Sequence, residues 1–147
     1  MKTYSQKTSE ITRKWYVLDA SSAPLGRVST VAARLLIGKD KPSFTPHMDG
    51  GDFVIIINAD NLVVTGGKEE KKMYYNHSGY PGGIYKKNLN DVMKIDSSRV
   101  IKKAVRGMLP VNKLRDGRLL RLKIYASDQH NHAAQTPEVY TLKKGAK

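Results

Sequence analysis

The chain has 147 residues and no cysteine, and its 26 lysines and arginines stand against 13 aspartates and glutamates, which gives a net charge of +13. This length fits one domain with a sizeable core, the lack of cysteine excludes disulfides and thiolate metal sites, and no apolar run is long enough to span a bilayer. A charge excess of this size favours a polyanionic partner, with nucleic acid the leading class and an anionic membrane surface the second.

The first half of the chain predicts a strand, a helix and a second strand. Residues 1–13 are polar and lack periodicity, so we expect an extended arm that begins without a signal peptide. Residues 14–20 (KWYVLDA) predict a strand, and the apolar residues of segment 25–36 recur at helical spacing before Gly38. The run Phe53–Ile57 is the most apolar of the chain and does not alternate with polar residues. It therefore predicts a strand covered on both faces, as in a βαβ unit, and a buried helical turn is the alternative.

The second half predicts a hairpin and several helices before a last strand. Segment 39–52 holds two prolines and two glycines and is long enough to be a functional loop. The elements predicted after Phe53–Ile57 are a β-hairpin over 62–75 with its turn at 66–70, a loop at 76–83, helices at 88–93, 99–108 and 113–120, and a strand at 122–125. No linker or repeat divides the chain, so residues 1–147 are predicted to form one domain, with 1–13 as an N-terminal arm and 139–147 as a C-terminal tail.

Positive charge is concentrated in segment 99–123. This segment holds nine lysines and arginines and one acid, Asp116, so nine minus one places +8 of the total charge of +13 there. Its first helix, which Ser97 and Ser98 are expected to cap, carries four of these cations in one stripe opposite an apolar face. A surface of one sign favours phosphate binding, and an ordinary solvated helix face is the alternative. The nine basic residues are Arg99, Lys102, Lys103, Arg106, Lys113, Arg115, Arg118, Arg121 and Lys123.

A segment rich in glycine and tyrosine, residues 76–87, is the second candidate site. Its glycines allow the backbone to approach a partner closely, and Tyr80 and Tyr85 offer rings on which bases can stack. Lys86 and Lys87 add positive charge at the end of the segment. RNA recognition is one interpretation of this loop, and a turn-rich connector is the other.

Catalytic and metal-binding patterns are weak in this chain. Gly66-Gly67-Lys68 resembles part of a phosphate-binding loop, but the complete G-x-x-x-x-G-K-[ST] pattern is missing. His130 and His132 lack the acids or cysteines that would complete a tetrahedral metal site. We therefore expect no catalytic residue, no metal and no cofactor. A phosphate- or nucleotide-handling α/β enzyme stays the alternative function, although it explains only the βαβ pattern.

Seven segments that span nearly the whole chain match one known family in order. They are RKWYVLDA (13–20), PLGRVST (24–30), FTPHMDGGDFVIIINA (44–59), VTGGK (64–68), YYNHSGYPGG (74–83), AVRGMLPVNKL (104–114) and LKIYASDQHNHAAQTPE (122–138). On these segments the chain resembles the bacterial large-subunit ribosomal protein L13 family. The most specific of them are the tyrosine-glycine loop and the RGMLP segment that follows it.

This resemblance implies a fold, a role and a set of partners. The implied fold is three-layer α/β/α with a mainly parallel four-stranded sheet, to which the predicted β-hairpin is an extension. The implied role is structural and not enzymatic: binding of large-subunit ribosomal RNA, early in subunit assembly, in the cytoplasmic ribosome. The implied partners are that RNA and neighbouring large-subunit ribosomal proteins, with no membrane and no small-molecule substrate. Besides the nine basic residues above, the residues expected to contact RNA are Lys39, Lys41, Lys68, His77, Tyr80, Gly82, Gly83, Lys86, Lys87, His130 and His132.

Overall fold

A parallel four-stranded sheet and a separate antiparallel hairpin form the framework of the fold, which is seen in a computed structural model that describes residues 4–142. The strands are β1 (Trp15–Asp19), β2 (Phe53–Ile57), β3 (Met73–His77), β4 (Ile84–Asn88), β5 (Leu122–Ile124) and β6 (Glu138–Val139). The α-helices of this described range are α1 (Leu25–Ile37), α2 (Lys68–Lys71), α3 (Leu89–Ile95), α4 (Ser97–Met108) and α5 (Leu114–Leu120). The expected α/β class, with a mainly parallel four-stranded sheet and a hairpin, is confirmed. Residues 1–3 of the expected arm and 143–147 of the expected tail lie outside the described residues.

Strand β2 occupies the middle of the sheet. It pairs in parallel with β1 on one side and with β5 on the other, and the strand order is β5-β2-β1-β6. Val54, Ile55 and Ile56 are all fully buried. Successive side chains of a strand point to opposite faces of the sheet, so three buried residues in a row require cover on both faces. The strand with two covered faces that was predicted for Phe53–Ile57 is confirmed.

The two faces of the sheet are covered by different kinds of chain. Val54 and Ile56 belong to the same buried cluster as the apolar sides of α1 and α4, so these two helices cover one face. On the opposite face the Trp15 ring stacks on Phe53 with the ring centres 4.2 Å apart. The His132 ring lies 4.9 Å from the Trp15 ring and adds to this second layer. The sheet is thus held between a helical layer and an aromatic layer.

The ends of the two long helices follow local backbone chemistry. Helix α1 ends at Gly38, whose φ of +83° and N–H bonds to the last helical carbonyls form the expected glycine cap. Helix α4 is capped by Asp96 and not by the two serines, because the Asp96 carboxylate accepts from the N–H groups of Ser98 and Arg99 at 3.0 and 3.4 Å. The hydrogen bond from the Ser98 hydroxyl is the largest of the effects that lower the pKa of Asp96.

The hairpin lies one segment later than predicted. Helix α2 (Lys68–Lys71) includes residues 68–70 of the predicted turn, and β3 pairs with β4 over 73–77 and 84–88. Lysine and glutamate, which make up α2, are good helix formers. The turn comes instead from segment 78–83, where Gly79 and Gly82 have φ angles of +90° and +73° that other residues rarely adopt. The predicted position of the hairpin is therefore wrong, as is the loop prediction for residues 76 and 77.

The described part of the N-terminal arm lies along segment 39–52. Gln6 is 6% exposed, and one 3₁₀ turn, Thr8–Glu10, interrupts otherwise irregular backbone. The Arg13 guanidinium donates to the backbone carbonyls of Asp49 and Gly51, both at 3.1 Å. These contacts attach the arm to the rest of the domain.

A buried ionic cluster ties segment 39–52 to the end of α5. The Asp49 carboxylate accepts two hydrogen bonds from the Arg121 guanidinium, both at 2.6 Å, and one from Arg118 Nε at 3.4 Å. Arg118 is 1% exposed and Arg121 is 8% exposed. Burial alone would raise the pKa of Asp49, but the hydrogen bonds and charge of Arg121, helped by two further arginines, outweigh burial and lower that pKa. The carboxylate therefore stays ionised within the cluster.

Loss of the Asp49 charge should destabilise the protein near neutral pH and have less effect in acid. A carboxylate whose pKa is lowered on folding adds stability above its unfolded pKa of about 4 and loses it as the pH falls through the folded value. Asp49→Asn leaves two buried arginines without their counter-ion, and removal of one partner of a buried pair costs about 3 to 5 kcal/mol. We expect unfolding free energies from urea titrations to differ between the two proteins at about pH 6 and to converge below about pH 4.

Asp116→Asn is the matched control for this comparison. Asp116 is an exposed acid of α5, so the variant should keep the pH profile of the unchanged protein. If the profiles of Asp49→Asn and the unchanged protein run parallel down to about pH 3, Asp49 does not hold the cluster as described.

Candidate nucleic-acid interface

Helix α4 has one apolar side and one basic side. Val100, Ile101 and Val105 are fully buried, as predicted for the apolar side, whereas Met108 of the same predicted side is 42% exposed. The opposite side carries four exposed cations, which we call the basic stripe: Arg99, Lys102, Lys103 and Arg106. Among residues 4–142 none of these four forms an ion pair. Apart from the Asp96 cap near Arg99, the positive charge of the basic stripe is therefore uncompensated within the described fold.

The hairpin of β3 and β4 lies beside the basic stripe, and the two enclose a cleft. We call it the hairpin cleft, and its volume is about 380 Å³. It is lined by Tyr74, Tyr75, Asn76, Tyr85 and Lys87 from the hairpin, Val92 from α3, and Arg99 and Lys103 from α4. Lys103 Nζ lies 4.8 Å from the centre of the Tyr74 ring, and Lys72 Nζ lies 5.5 Å from it. These cation–π contacts join the hairpin to the basic stripe.

The tyrosines of the hairpin differ in their exposure. Tyr80 in the turn is 76% exposed and Tyr85 in β4 is 62% exposed, so both rings are open to a partner. Tyr74 is half-buried, and its hydroxyl has no hydrogen-bond partner within residues 4–142. Burial raises the pKa of Tyr74, which keeps the phenol protonated. Tyr75 in β3 is 63% exposed as well, so the hairpin offers three accessible rings and one ring, Tyr74, that is part of its support.

A second, smaller cleft brings together cations from α4 and β5. Its volume is about 290 Å³, and it is lined by Ser98, Lys102, Leu122, Lys123, Ile124 and Tyr125. Lys123 is half-buried there and stands beside Lys102 of the basic stripe. The positive surface of α4 is thereby continued onto the sheet.

The other residues that were predicted to contact RNA differ in their solvent exposure. The exposed ones are Lys39, Lys68, His77, Gly82, Lys86, Lys87 and Lys113. The half-buried ones are Lys41, Gly83, Arg115, His130 and His132. Lys68 belongs to α2, which packs against α3 and β4, so it lies near the hairpin.

Two of the nine basic residues do not face a partner at all. Arg118 and Arg121 are buried against Asp49, which contradicts the prediction that they contact RNA. A count of charges along the sequence cannot separate a surface cation from one that neutralises a buried acid. Their acid lies 69 and 72 residues away along the chain, where no local pattern reveals it.

Three further predicted contact residues are engaged within the fold. Lys41 Nζ forms an ion pair with Asp52 at 2.6 Å and also donates to the carbonyls of Thr12 and Gly50. The rings of His130 and His132 lie among the aromatic rings of the second layer of the sheet. These contacts give the three residues a part in holding the fold.

Sequence reasoning missed the residues that line the hairpin cleft from β3. The pairing register places Tyr74 opposite Lys87 and Asn76 opposite Tyr85. Directly paired residues of antiparallel strands share a face, so these four form one side of the hairpin. Period-two alternation in segments 73–77 and 84–88 would have revealed this side, once both segments were read as strands.

Metal-binding and membrane-spanning features are not found in the described part of the chain. Between residues 4 and 142 no three His, Asp or Glu side chains are grouped so as to hold a metal ion. Within the same range no helix has the length and apolar character needed to cross a membrane.

Comparison with known proteins gives consistent matches over nearly the full length. The family model described as Ribosomal protein L13 matches residues 13–131. Large ribosomal subunit protein uL13 of Roseiflexus sp. (strain RS-1) is 53% identical over 140 residues, which cover 95% of this chain and 96% of that relative. Proteins of the same name from Mycobacterium tuberculosis (strain ATCC 25618 / H37Rv) and Herpetosiphon aurantiacus are 49% and 50% identical. They match 99% and 97% of this chain, and 99% of each relative is covered.

Arg106→Ala and Arg118→Ala should separate a surface arginine from a structural one. Arg106 is exposed and unpaired among the described residues, so its loss should change the free energy of unfolding by no more than about 0.5 kcal/mol. Arg118 is buried beside Asp49, and its loss should cost at least about 2 kcal/mol. Urea unfolding of the two variants measures both effects. Equal losses would show that the two arginines are not divided between surface and interior.

Proposed function

The chain belongs to the ribosomal protein L13 family, and on that premise we propose that it binds large-subunit ribosomal RNA through the basic stripe and the neighbouring hairpin. Membership of this family makes the chain a structural constituent of the large ribosomal subunit and not an enzyme. Its place of action is the ribosome, in the cytoplasm.

The uncompensated basic stripe carries this proposal. Four exposed cations on one side of α4 repel one another unless anions approach them, and ribosomal RNA supplies anions as a regular row of phosphates. Two arginines from the same part of the sequence are neutralised internally by Asp49. Because the cations of the basic stripe are exposed and unpaired in the described fold, whereas these two arginines are buried and paired, the positive charge available to a partner lies on the basic stripe.

The hairpin adds contacts of a second kind. Phosphate contacts position a protein on RNA, whereas bases in unpaired RNA are recognised by stacking and by hydrogen bonds to their edges. Tyr80 and Tyr85 present exposed rings, and Lys86 and Lys87 present exposed cations on the same hairpin. Stripe and hairpin together can hold an RNA backbone and an unpaired base at once.

Neighbouring large-subunit proteins are the second class of partner in this proposal. Val111 and Leu120 are 85% and 74% exposed, and we propose that these apolar side chains contact a neighbouring protein. We also propose that the protein binds RNA early in assembly. The support for this order is that the buried core and the ion pairs of Asp49 form between segments of this one chain.

Binding to isolated large-subunit RNA should weaken steeply as salt is added. Each neutralised phosphate contributes roughly 0.7 to 0.9 to the slope of log affinity against log salt, so six contacts from the basic stripe, Lys86 and Lys87 predict a slope of about −4 to −5. Lys102→Ala should reduce the slope by about 1. Lys14→Ala is the control, since Lys14 pairs with Glu138 and should leave the slope unchanged. Filter binding over a series of salt concentrations measures the slope, and a value near zero would refute binding through phosphates.

Replacement of Tyr80 should test the contribution of the hairpin turn. Tyr80→Ala removes an exposed ring and should cost roughly 1 to 3 kcal/mol of RNA binding if a base stacks on it, while Tyr80→Phe should cost much less. Equal losses for both variants would identify the hydroxyl as the contact. Normal binding by both variants would show that the turn is only a connector.

A further inference from the structure

We infer that the hairpin cleft receives a single unpaired nucleotide of large-subunit RNA, with its base against Tyr85 and its phosphate near Arg99 and Lys103. This inference rests on the proposed function and adds a specific site to it. The basic stripe contacts successive phosphates of the RNA backbone. The hairpin cleft, in contrast, would hold one nucleotide whose base is not stacked on its neighbours.

The strand register turns one side of the hairpin towards this cleft. Tyr74, Asn76, Tyr85 and Lys87 are paired two by two across β3 and β4, and all four line the cleft. Residues that alternate with them in β4, such as Ile84, belong to the other side of the hairpin. Tyr75, which alternates with Tyr74 and Asn76 in β3, lines the cleft as well, so the side that carries Tyr85 supplies four of the five hairpin residues in the lining.

The lining offers the groups that a nucleotide needs. The Tyr85 ring is 62% exposed and gives a stacking surface for a base. Asn76 carries an amide that both donates and accepts hydrogen bonds, which suits the edge of a base. Lys87, Arg99 and Lys103 supply positive charge for a phosphate, and the cleft lining contains no acid.

The size and charge of the cleft narrow the class of ligand. A volume of about 380 Å³ lies in the range of small-molecule pockets and holds one nucleotide, but not a helix of RNA. A lining with three cations and no carboxylate disfavours a metal ion or a basic peptide. A free nucleoside monophosphate has the same chemistry as a nucleotide within RNA, so the test must distinguish these two sources.

Tyr74 forms the support of the cleft and does not contribute a polar contact. Its ring is flanked by Lys72 and Lys103, and its hydroxyl is buried.

The test compares Tyr85→Ala with Tyr85→Phe and Ile84→Ala in binding to isolated large-subunit RNA. Tyr85→Ala should weaken binding roughly 5- to 150-fold, the fold-change that corresponds to loss of one stacked base. The salt slope of Tyr85→Ala should equal that of the unchanged protein, because the ring neutralises no phosphate. Tyr85→Phe keeps the ring and should bind within about threefold of the unchanged protein. Ile84→Ala, an exposed neighbour on the back of the hairpin, should bind normally.

Ultraviolet crosslinking gives an independent readout on the same complexes. Zero-length crosslinks located by mass spectrometry should join one RNA nucleotide to Tyr85 in the unchanged protein, and this crosslink should vanish in Tyr85→Ala. Tyr85→Leu is a second variant that keeps a large side chain in β4, and it should lose affinity like the alanine variant.

The possible outcomes distinguish failure of the proposed cleft site from failure of the proposed RNA-binding function. Normal RNA binding by Tyr85→Ala, together with weakened binding by Lys102→Ala, would overturn the cleft site and leave the proposed function standing. Failure of the unchanged protein to bind large-subunit RNA would overturn both. Saturable binding of AMP or UMP that Tyr85→Ala abolishes, with RNA binding unaffected, would assign the cleft to a free nucleotide and overturn the inference.

Discussion

The parallel pairing of β2 with strands on both sides is the constraint on which the rest of the structure depends. Parallel neighbours cannot be joined by a tight turn, so the chain must cross the sheet after β1 and again after β2. Those crossings contain α1 and α4, which pack side by side on one face. Because α4 buries Val100, Ile101 and Val105 there, its remaining side is left to the four cations of the basic stripe. The position of the positive surface is thus a consequence of how the sheet is connected.

The net charge of +13 is divided between two uses. Arg118 and Arg121 neutralise the half-buried Asp49 and fasten segment 39–52 to α5, and Lys41 neutralises the buried Asp52 within that segment. Such ions stay buried only when they are paired, so they are unavailable to a partner. The cations of the basic stripe form no ion pair in the described fold. In the proposed function, phosphates of RNA supply the negative charge that pairs with these cations.

Much of the fold could be predicted because its main elements have strong local patterns. The run Phe53–Ile57 is predicted from its continuous apolar character between turn formers, and the two amphipathic helices are predicted from their apolar spacing and end signals. The glycines of segment 76–83 predict a loop. Residues 76 and 77 form part of β3 only because they pair with β4 across the turn. Strand β6 has two exposed residues and no pattern of its own, since it exists only by pairing with β1. The Asp49 cluster and the hairpin cleft likewise depend on contacts between distant segments, which periodicity does not report.

The proposed RNA contacts concentrate on the side of α4 that the sheet leaves exposed. Lysine reactivity towards a small acylating reagent, measured by mass spectrometry on the free protein and on assembled large subunits, tests this claim most directly. Lys102 and Lys103 are exposed in the chain alone and should react freely there. In the subunit we expect bound RNA to protect Lys102 and Lys103 strongly from acylation, together with Lys87 of the hairpin. Reactivity of Lys102 and Lys103 in the subunit that equals their reactivity in the free protein would contradict it.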